Sequence, residues 1–328
     1  MIVVQIHSGL GNQLFMYAAA RALADKLGTG LYLDVDNDCR NGVNNGSYVG
    51  HSFQLDRFNI RADYPGQVEG EAKTNSTIGF YSAVKSRLKE NDFVRQTARL
   101  FRRYGVDPAQ LLMKASGQER RFFKEARGDW GYKPDLMSLP DDSILRGCFF
   151  SFRYFDHLRA QLLEDLMLKE PLSAASQAME SRMRSAESVS IHVRRGDIVT
   201  DPEYRSWYEG ILTEDYYRNA VYYFRERLKD PEFFVFSDDI DWVKSALKLP
   251  GRLTYVDHND AAHGYEDLVL MSRCKHNVTA GFSSFSWWGA YLNRHPEKVV
   301  VRTRRMNALD HMNHPDDFFL PDWVIVDS

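Results

Sequence analysis

Short apolar runs rich in β-branched residues alternate with longer stretches of helical period, and that alternation predicts parallel α/β architecture. Ile2–Ile6 reads as a strand, residues 7–13 as a turn holding Gly9 and Gly11, residues 14–27 as an alanine- and leucine-rich helix stopped by Gly28, and Leu31–Val35 as a second strand. This is a βαβ unit. From about 40 to 140 the pattern is irregular, with an Asn/Gly/Ser cluster at 41–47 and arginine-rich helical stretches within 83–104. Phe122, Phe123, Trp130 and Tyr132 fall here and fit core better than a sugar site. Residues 144–150 suit a strand, 155–168 a helix, and 173–188 a helix or a linker between domains.

The second half is more regular. Strands are expected at 189–193, 233–236, 253–256, 277–280, 298–301 and, as an edge, 323–326. Helices are expected at 214–229 with Thr213 as cap, 241–247, 265–274 and from the serine-rich segment after Gly281 to about 293, with a loop at 198–210.

Three of these strands end in polar groups. The first runs into His192, Arg194, Arg195, Gly196 and Asp197, the second into Ser237, Asp238 and Asp239, the third into Gly281, Ser283, Ser284 and Ser286. In a parallel sheet all three ends open on one edge, where ligands of α/β proteins sit. An arginine fork matches phosphate oxygens and stays charged at any working pH. The carboxylates suit a base or a ribose, and the serines at a helix start suit a second phosphate. Together they point to a nucleotide diphosphate. A plainer alternative is a loop whose arginines pair with nearby carboxylates. Loss of a nucleotide diphosphate from a sugar builds negative charge that fixed cations and helix dipoles can stabilise. Asp197 is the candidate base, or else orients an arginine.

Other chemistries lack their motifs. There is no P-loop, no G-x-S-x-G elbow, no H-E-x-x-H, and position 14 is Leu where a dinucleotide fingerprint needs glycine. Asp34 and Asp36 leave a D-x-D metal site as an alternative, whereas Cys39 and Asn45 exclude an EF-hand loop. The length of 328 residues suits about two domains. A net charge of -3 gives no hint of a nucleic-acid partner. Cys39, Cys148 and Cys274 form neither a disulfide framework nor a metal knuckle. With no signal-peptide pattern and no apolar run long enough to cross a bilayer, a cytoplasmic protein is expected, free or peripheral at the inner face of the membrane.

Three segments carry a resemblance. Gly9-Leu10-Gly11-Asn12-Gln13-Leu14-Phe15, His192-Val193-Arg194-Arg195-Gly196-Asp197 and Ser284-Phe285-Ser286-Trp287-Trp288-Gly289-Ala290-Tyr291-Leu292 resemble the bacterial α-1,2-fucosyltransferases of glycosyltransferase family 11. The resemblance implies a GT-B fold, α/β with two Rossmann-like domains facing across a cleft: residues 1–170 on the acceptor side, with an irregular insertion, and 171–328 binding the donor. It implies GDP-fucose as donor, a galactose-terminated oligosaccharide or lipid-linked glycan as acceptor, transfer to the galactose 2-hydroxyl with inversion, and no obligatory metal. Arg194 would hold the β-phosphate, His192 would lie beside the nucleotide, Asp238 or Asp239 would accept from guanine, Ser283 and Ser284 would meet phosphate, and Asn12 would close from the opposite domain. Trp287 and Trp288 look like packing residues. Two positions depart from the family pattern: Ser8 stands where glycine is usual, and Gly281-Phe282 replaces the usual asparagine before the serines. A related enzyme moving another sugar, and a binding protein without catalysis, remain the alternative readings.

Overall fold

The computed structural model describes residues 1–35, 52–64 and 121–328, apart from the side chain of Asp197. Asp36, the 41–47 cluster and the stretches within 83–104 lie outside the described residues.

Two parallel sheets form among the described residues. The first has β1 (Ile2–Ile6), β2 (Leu31–Val35), β3 (Phe122–Lys124) and β4 (Ile144–Arg146) in the order β2-β1-β4-β3. The second has β5 (Ser188–Val193), β6 (Glu232–Ser237), β7 (Arg252–Tyr255), β8 (His276–Val278), β9 (Val300–Arg302) and β10 (Val324–Ile325) in the order β10-β9-β8-β5-β6-β7. The chain changes direction between β1 and β4 in one sheet and between β5 and β8 in the other. Each reversal leaves a crevice beyond the carboxyl ends of the strands.

The helices are α1 (Leu10–Leu27), α2 (Arg159–Asp165), α3 (Ala174–Ser185), α4 (Gly196–Thr200), α5 (Pro202–Tyr208), α6 (Glu214–Arg225), α7 (Ile240–Ala246), α8 (Gly264–Arg273), α9 (Ser284–Tyr291) and α10 (Pro315–Phe318). The β-branched face of β5 (Val189, Ile191, Val193) packs with α6 and α7. On the opposite face of the second sheet, Phe234 and Phe236 of β6 pack with Met183 of α3 and Leu270 of α8.

Several expectations change. Helix α1 starts at Leu10, not at residue 14, because Gly9 is already the extended cap and its carbonyl accepts from the N–H groups of Asn12 and Gln13. The expected loop at 198–210 holds α4 and α5; Asp201 caps α5 and Pro202 opens it. Phe122 and Phe123 belong to a strand. β4 stops at Arg146, because Phe149 turns into the left-handed region with φ 56. The expected helix at 155–168 is preceded by two 3₁₀ turns and runs only over α2, and the helix begun at Thr213 ends at Arg225. Ser173 caps α3, which occupies the candidate linker.

The two sheets meet through the starts of α1 and α9. A Cβ on Gly11 would stand 2.5 Å from the Phe285 nitrogen and 2.6 Å from the Ser284 carbonyl carbon, so only glycine fits. One turn on, Phe15 packs against Trp287 (4.6 Å between ring centroids), Trp288 (5.4 Å) and Phe150 (5.4 Å). Both tryptophans are fully buried, and Trp287 Nε1 donates to the Phe318 carbonyl at 2.6 Å. They are packing residues. The far end of α9 is held by cations: Arg159 donates to the Tyr291 carbonyl, and Lys298 to those of Ala290 and Asn293. Burial, helped by the Arg159 charge, brings the Lys298 ammonium down to about 8.

Ser8 sits at φ 63, the left-handed region in which a side chain is strained. That accounts for glycine being usual there. Its hydroxyl lies 2.9 Å from His7 Nδ1, and its carbonyl accepts from Gln13 Nε2 at 2.8 Å. Substituting Ser8→Gly relieves the strain, and urea unfolding is expected to show a gain of about 0.5–1 kcal/mol. Substituting Gly11→Ala forces the two helix starts apart. It is expected to cost about 1–3 kcal/mol in the same measurement.

Candidate active site

Residues 194–196 and 281–284 follow β5 and β8 on either side of the second sheet's reversal. The sequence there dictates a strand that ends abruptly in charge. Arg194 Nη1 lies 3.1 Å from Asp238 Oδ2, and the backbone N–H of Arg195 donates to Asp238 Oδ1 at 2.8 Å. Arg195 Nε reaches Asp239 Oδ2 at 2.9 Å, and its guanidinium lies 3.6 Å from the ring centre of Trp242. Asp239 in turn caps α7. The plainer reading of the arginine loop is therefore realised: each arginine has a carboxylate partner from the end of β6. The pairing also fixes both guanidinium groups at the sheet edge, and a quarter of each arginine side chain remains exposed. Gly196 follows the turn so closely that a Cβ there would stand 2.9 Å from Asp238 Oδ2.

A cavity of about 420 Å³ opens beside this loop, lined by Val193, Arg194, Arg195, Arg205, Tyr217 and Trp242 among others. Arg205 is held by the Val199 carbonyl at 2.6 Å. This third cation lies in the stretch that the sequence predicts as a loop; the Asp201-Pro202 pair is the helix-start signal there.

His192 projects to the opposite face of β5, where its ring packs against Phe285 with 5.6 Å between centroids. It is buried, and its Nδ1 makes no hydrogen bond among the described residues. Burial pushes the imidazole down to about 4, with Asp238 opposing and Arg194 assisting, so it is neutral near pH 7. A neutral imidazole in that position can donate or accept one hydrogen bond toward a ligand.

Ser283 caps α9, accepting from the Ser286 N–H, and is buried. Ser284 instead reaches across to the first sheet, donating to Asn12 Oδ1 at 2.5 Å. The residues expected from opposite domains thus meet directly. Asp197 lies on the first turn of α4, directly after Arg195 and Gly196. Asp34 is the last residue but one of β2, and Gln5 Nε2 lies 3.5 Å from it. No group of three or more His, Cys, Asp or Glu side chains gathers to hold a metal among the described residues. Nor is any helix among them long and apolar enough to cross a membrane.

A second polar cluster, not singled out from the sequence, follows β7. Asp267 on α8 is pushed up to about 7 by burial, against a hydrogen bond from Asn259. Glu266 accepts from the Ser173 hydroxyl at 2.7 Å, and Gln54 Nε2 donates to the Ala261 carbonyl at 2.9 Å. Its members are scattered over 54–267, so no local motif announces it.

Comparisons with known proteins agree on one class. The O-antigen biosynthesis glycosyltransferase WbnK of Escherichia coli is 29% identical over 97% of this chain and 98% of its own length. An α-1,2-colitosyltransferase of Escherichia coli is 28% identical over 92% of this chain and 90% of its own. The human galactoside α-(1,2)-fucosyltransferase 1 is 27% identical over 61% of this chain and 57% of its own. Among solved structures, the α-1,6-fucosyltransferase NodZ shares the fold with a TM-score of 0.51, 14% identity and coverage of 89% of this chain and 92% of its own. The architecture is the GT-B fold, two parallel-sheet units with their carboxyl edges turned to one cleft. The glycosyl transferase family 11 model matches residues 135–327, which take in the arginine loop and the serine loop just described, and the chain belongs to that family of glycosyltransferases.

Proposed function

We propose that this glycosyltransferase moves L-fucose from GDP-fucose to the 2-hydroxyl of a terminal galactose, with inversion and without an obligatory metal. One observation carries the reading: Arg194 follows β5 at the reversal of the second sheet, and the neighbouring strand β8 leads into α9, whose Ser284 meets Asn12. A nucleoside diphosphate seated there would meet a guanidinium fork and backbone N–H groups.

The chemistry follows from charge. As the bond from the anomeric carbon to the β-phosphate oxygen breaks, negative charge grows on the diphosphate. In this reading Arg194 and the amides at the start of α9 stabilise that charge. In this reading Asp238 steers Arg194 until phosphate takes its place, and His192 serves the nucleotide side as a neutral partner. The similarity to galactoside α-(1,2)-fucosyltransferases supports the donor and the linkage.

A second reading is favoured by the α-1,2-colitosyltransferase relative. Colitose is the 3-deoxy counterpart of L-fucose, so the same diphosphate grip serves either donor. What separates them is one hydroxyl contact on the sugar side.

Incubation with GDP-fucose or GDP-colitose and a panel of galactose-terminated acceptors, followed by linkage analysis, decides between them. The expected product carries α-1,2-linked fucose, formed equally well in excess EDTA. A product with colitose alone overturns the donor assignment. Substituting Arg194→Ala is expected to lower kcat/KM about 100- to 1,000-fold, as losing a charge-stabilising donor does. Activity within threefold of the parent removes Arg194 from the mechanism.

A further inference from the structure

An inverting transfer needs its proton acceptor on the side of the sugar opposite the departing diphosphate. Asp197 belongs to the loop that in this reading holds that diphosphate. The acceptor side belongs to the first sheet, whose carboxyl edge carries one carboxylate in an unusual setting, that of Glu125.

Glu125 comes directly after β3 and continues its ladder, donating its N–H to the Arg146 carbonyl at 2.8 Å. One carboxylate oxygen, Oε2, accepts from the N–H groups of Cys148 (2.7 Å) and Phe149 (3.1 Å), in the turn that leaves β4 beside the reversal of the first sheet. Gly147 passes so close that a Cβ there would stand 2.5 Å from the Glu125 Cβ. The other oxygen, Oε1, is buried and has no hydrogen-bond partner among the described residues. A buried polar atom left unpaired calls for a functional explanation. The chain on either side of Glu125 and its turn reaches elements that follow strands of the second sheet. Phe150, next in the same turn, packs 4.9 Å from Phe282, just before the serine loop. Two residues past Glu125, Arg127 pairs with Glu203 of α5 at 2.8 Å, and Trp130 stacks on Phe282 at 4.5 Å.

We propose that Glu125 is the general base of the transfer reaction, taking the proton of the acceptor hydroxyl on Oε1 while backbone N–H groups hold Oε2. The inference rests on the chain being a sugar transferase. The acceptor oxygen bonds to the anomeric carbon as the bond to the β-phosphate oxygen breaks. The diphosphate leaves with that electron pair, and the acceptor proton passes to Glu125 and then to solvent. Burial raises the Glu125 carboxyl to about 7, outweighing the two N–H groups; Asp129 adds to the rise and Lys133 opposes it. The Cys148 thiol and the Tyr154 phenol also face it, and burial keeps both neutral near pH 7. A carboxylate in that range is matched to proton transfer near neutrality.

The test is Glu125→Gln, assayed with whichever sugar nucleotide and acceptor the parent turns over. Glutamine keeps one carbonyl oxygen for the Cys148 and Phe149 N–H groups and removes only the basic oxygen. The expected result is a fall in kcat of about 100-fold or more, with the Tm and the affinity for GDP unchanged. In the parent kcat rises with pH as the carboxyl deprotonates around 7, and that limb disappears in the variant. Activity within threefold of the parent, or a retained limb, overturns the proposal. So does a loss of activity that comes with a lowered Tm or weakened GDP binding, since that assigns the carboxylate a purely structural part. If the parent transfers a sugar other than fucose, the donor reading fails while the fate of Glu125 is still decided.

Discussion

The structure depends on one close approach. Gly11 lets the backbone of α1 touch the backbone of α9, and no side chain fits between them. That contact brings the amino ends of two helices from two different sheets to one spot. Everything proposed for the site needs this: Asn12 meets Ser284 because their helices already abut, and the serine loop faces the first sheet because α9 is pinned there. The aromatic cluster of Phe15, Trp287, Trp288 and Phe150 fills in one turn below and turns a point contact into a shared core. Burial of such rings is worth a few kcal/mol each, so the polar groups above them can be spent on ligand rather than on holding the sheets together.

Much of this was legible in the sequence. Arg194, Asp238 and Asp239 stand at strand ends, and the alternation of apolar strands with helices is enough to place them on one edge. Asn12 and Ser284 are distant in sequence and meet only in the fold; their motifs marked them individually, and their contact came from the structure. Trp287 and Trp288 read correctly as packing because a paired tryptophan at the start of an apolar helix has nowhere else to go.

What was not legible is equally physical. Gly11 looked like part of a turn, because a glycine needed for a neighbour's approach leaves no local trace. β3 has three residues, too few to show a period. α5 carries only a short stripe of Tyr204, Trp207 and Tyr208, too brief over seven residues to announce a helix, and the Asp201-Pro202 cap is its clearer signal. Glu125 is a lone acid in an irregular stretch, and the groups that give it character lie 23 and 24 residues further on. Its environment is a property of the sheet, not of its neighbours in the chain.

Helix α9 runs between two electrical boundaries. Arg159 and Lys298 cover the carbonyls at its far end, and covering them quenches the negative pole there. The amides at the serine end are then the uncompensated pole, about 12 Å away along the axis. The grip on an anion in the cleft is thus set in part from behind, by a lysine that never sees the ligand and whose own charge fades in mildly alkaline solution.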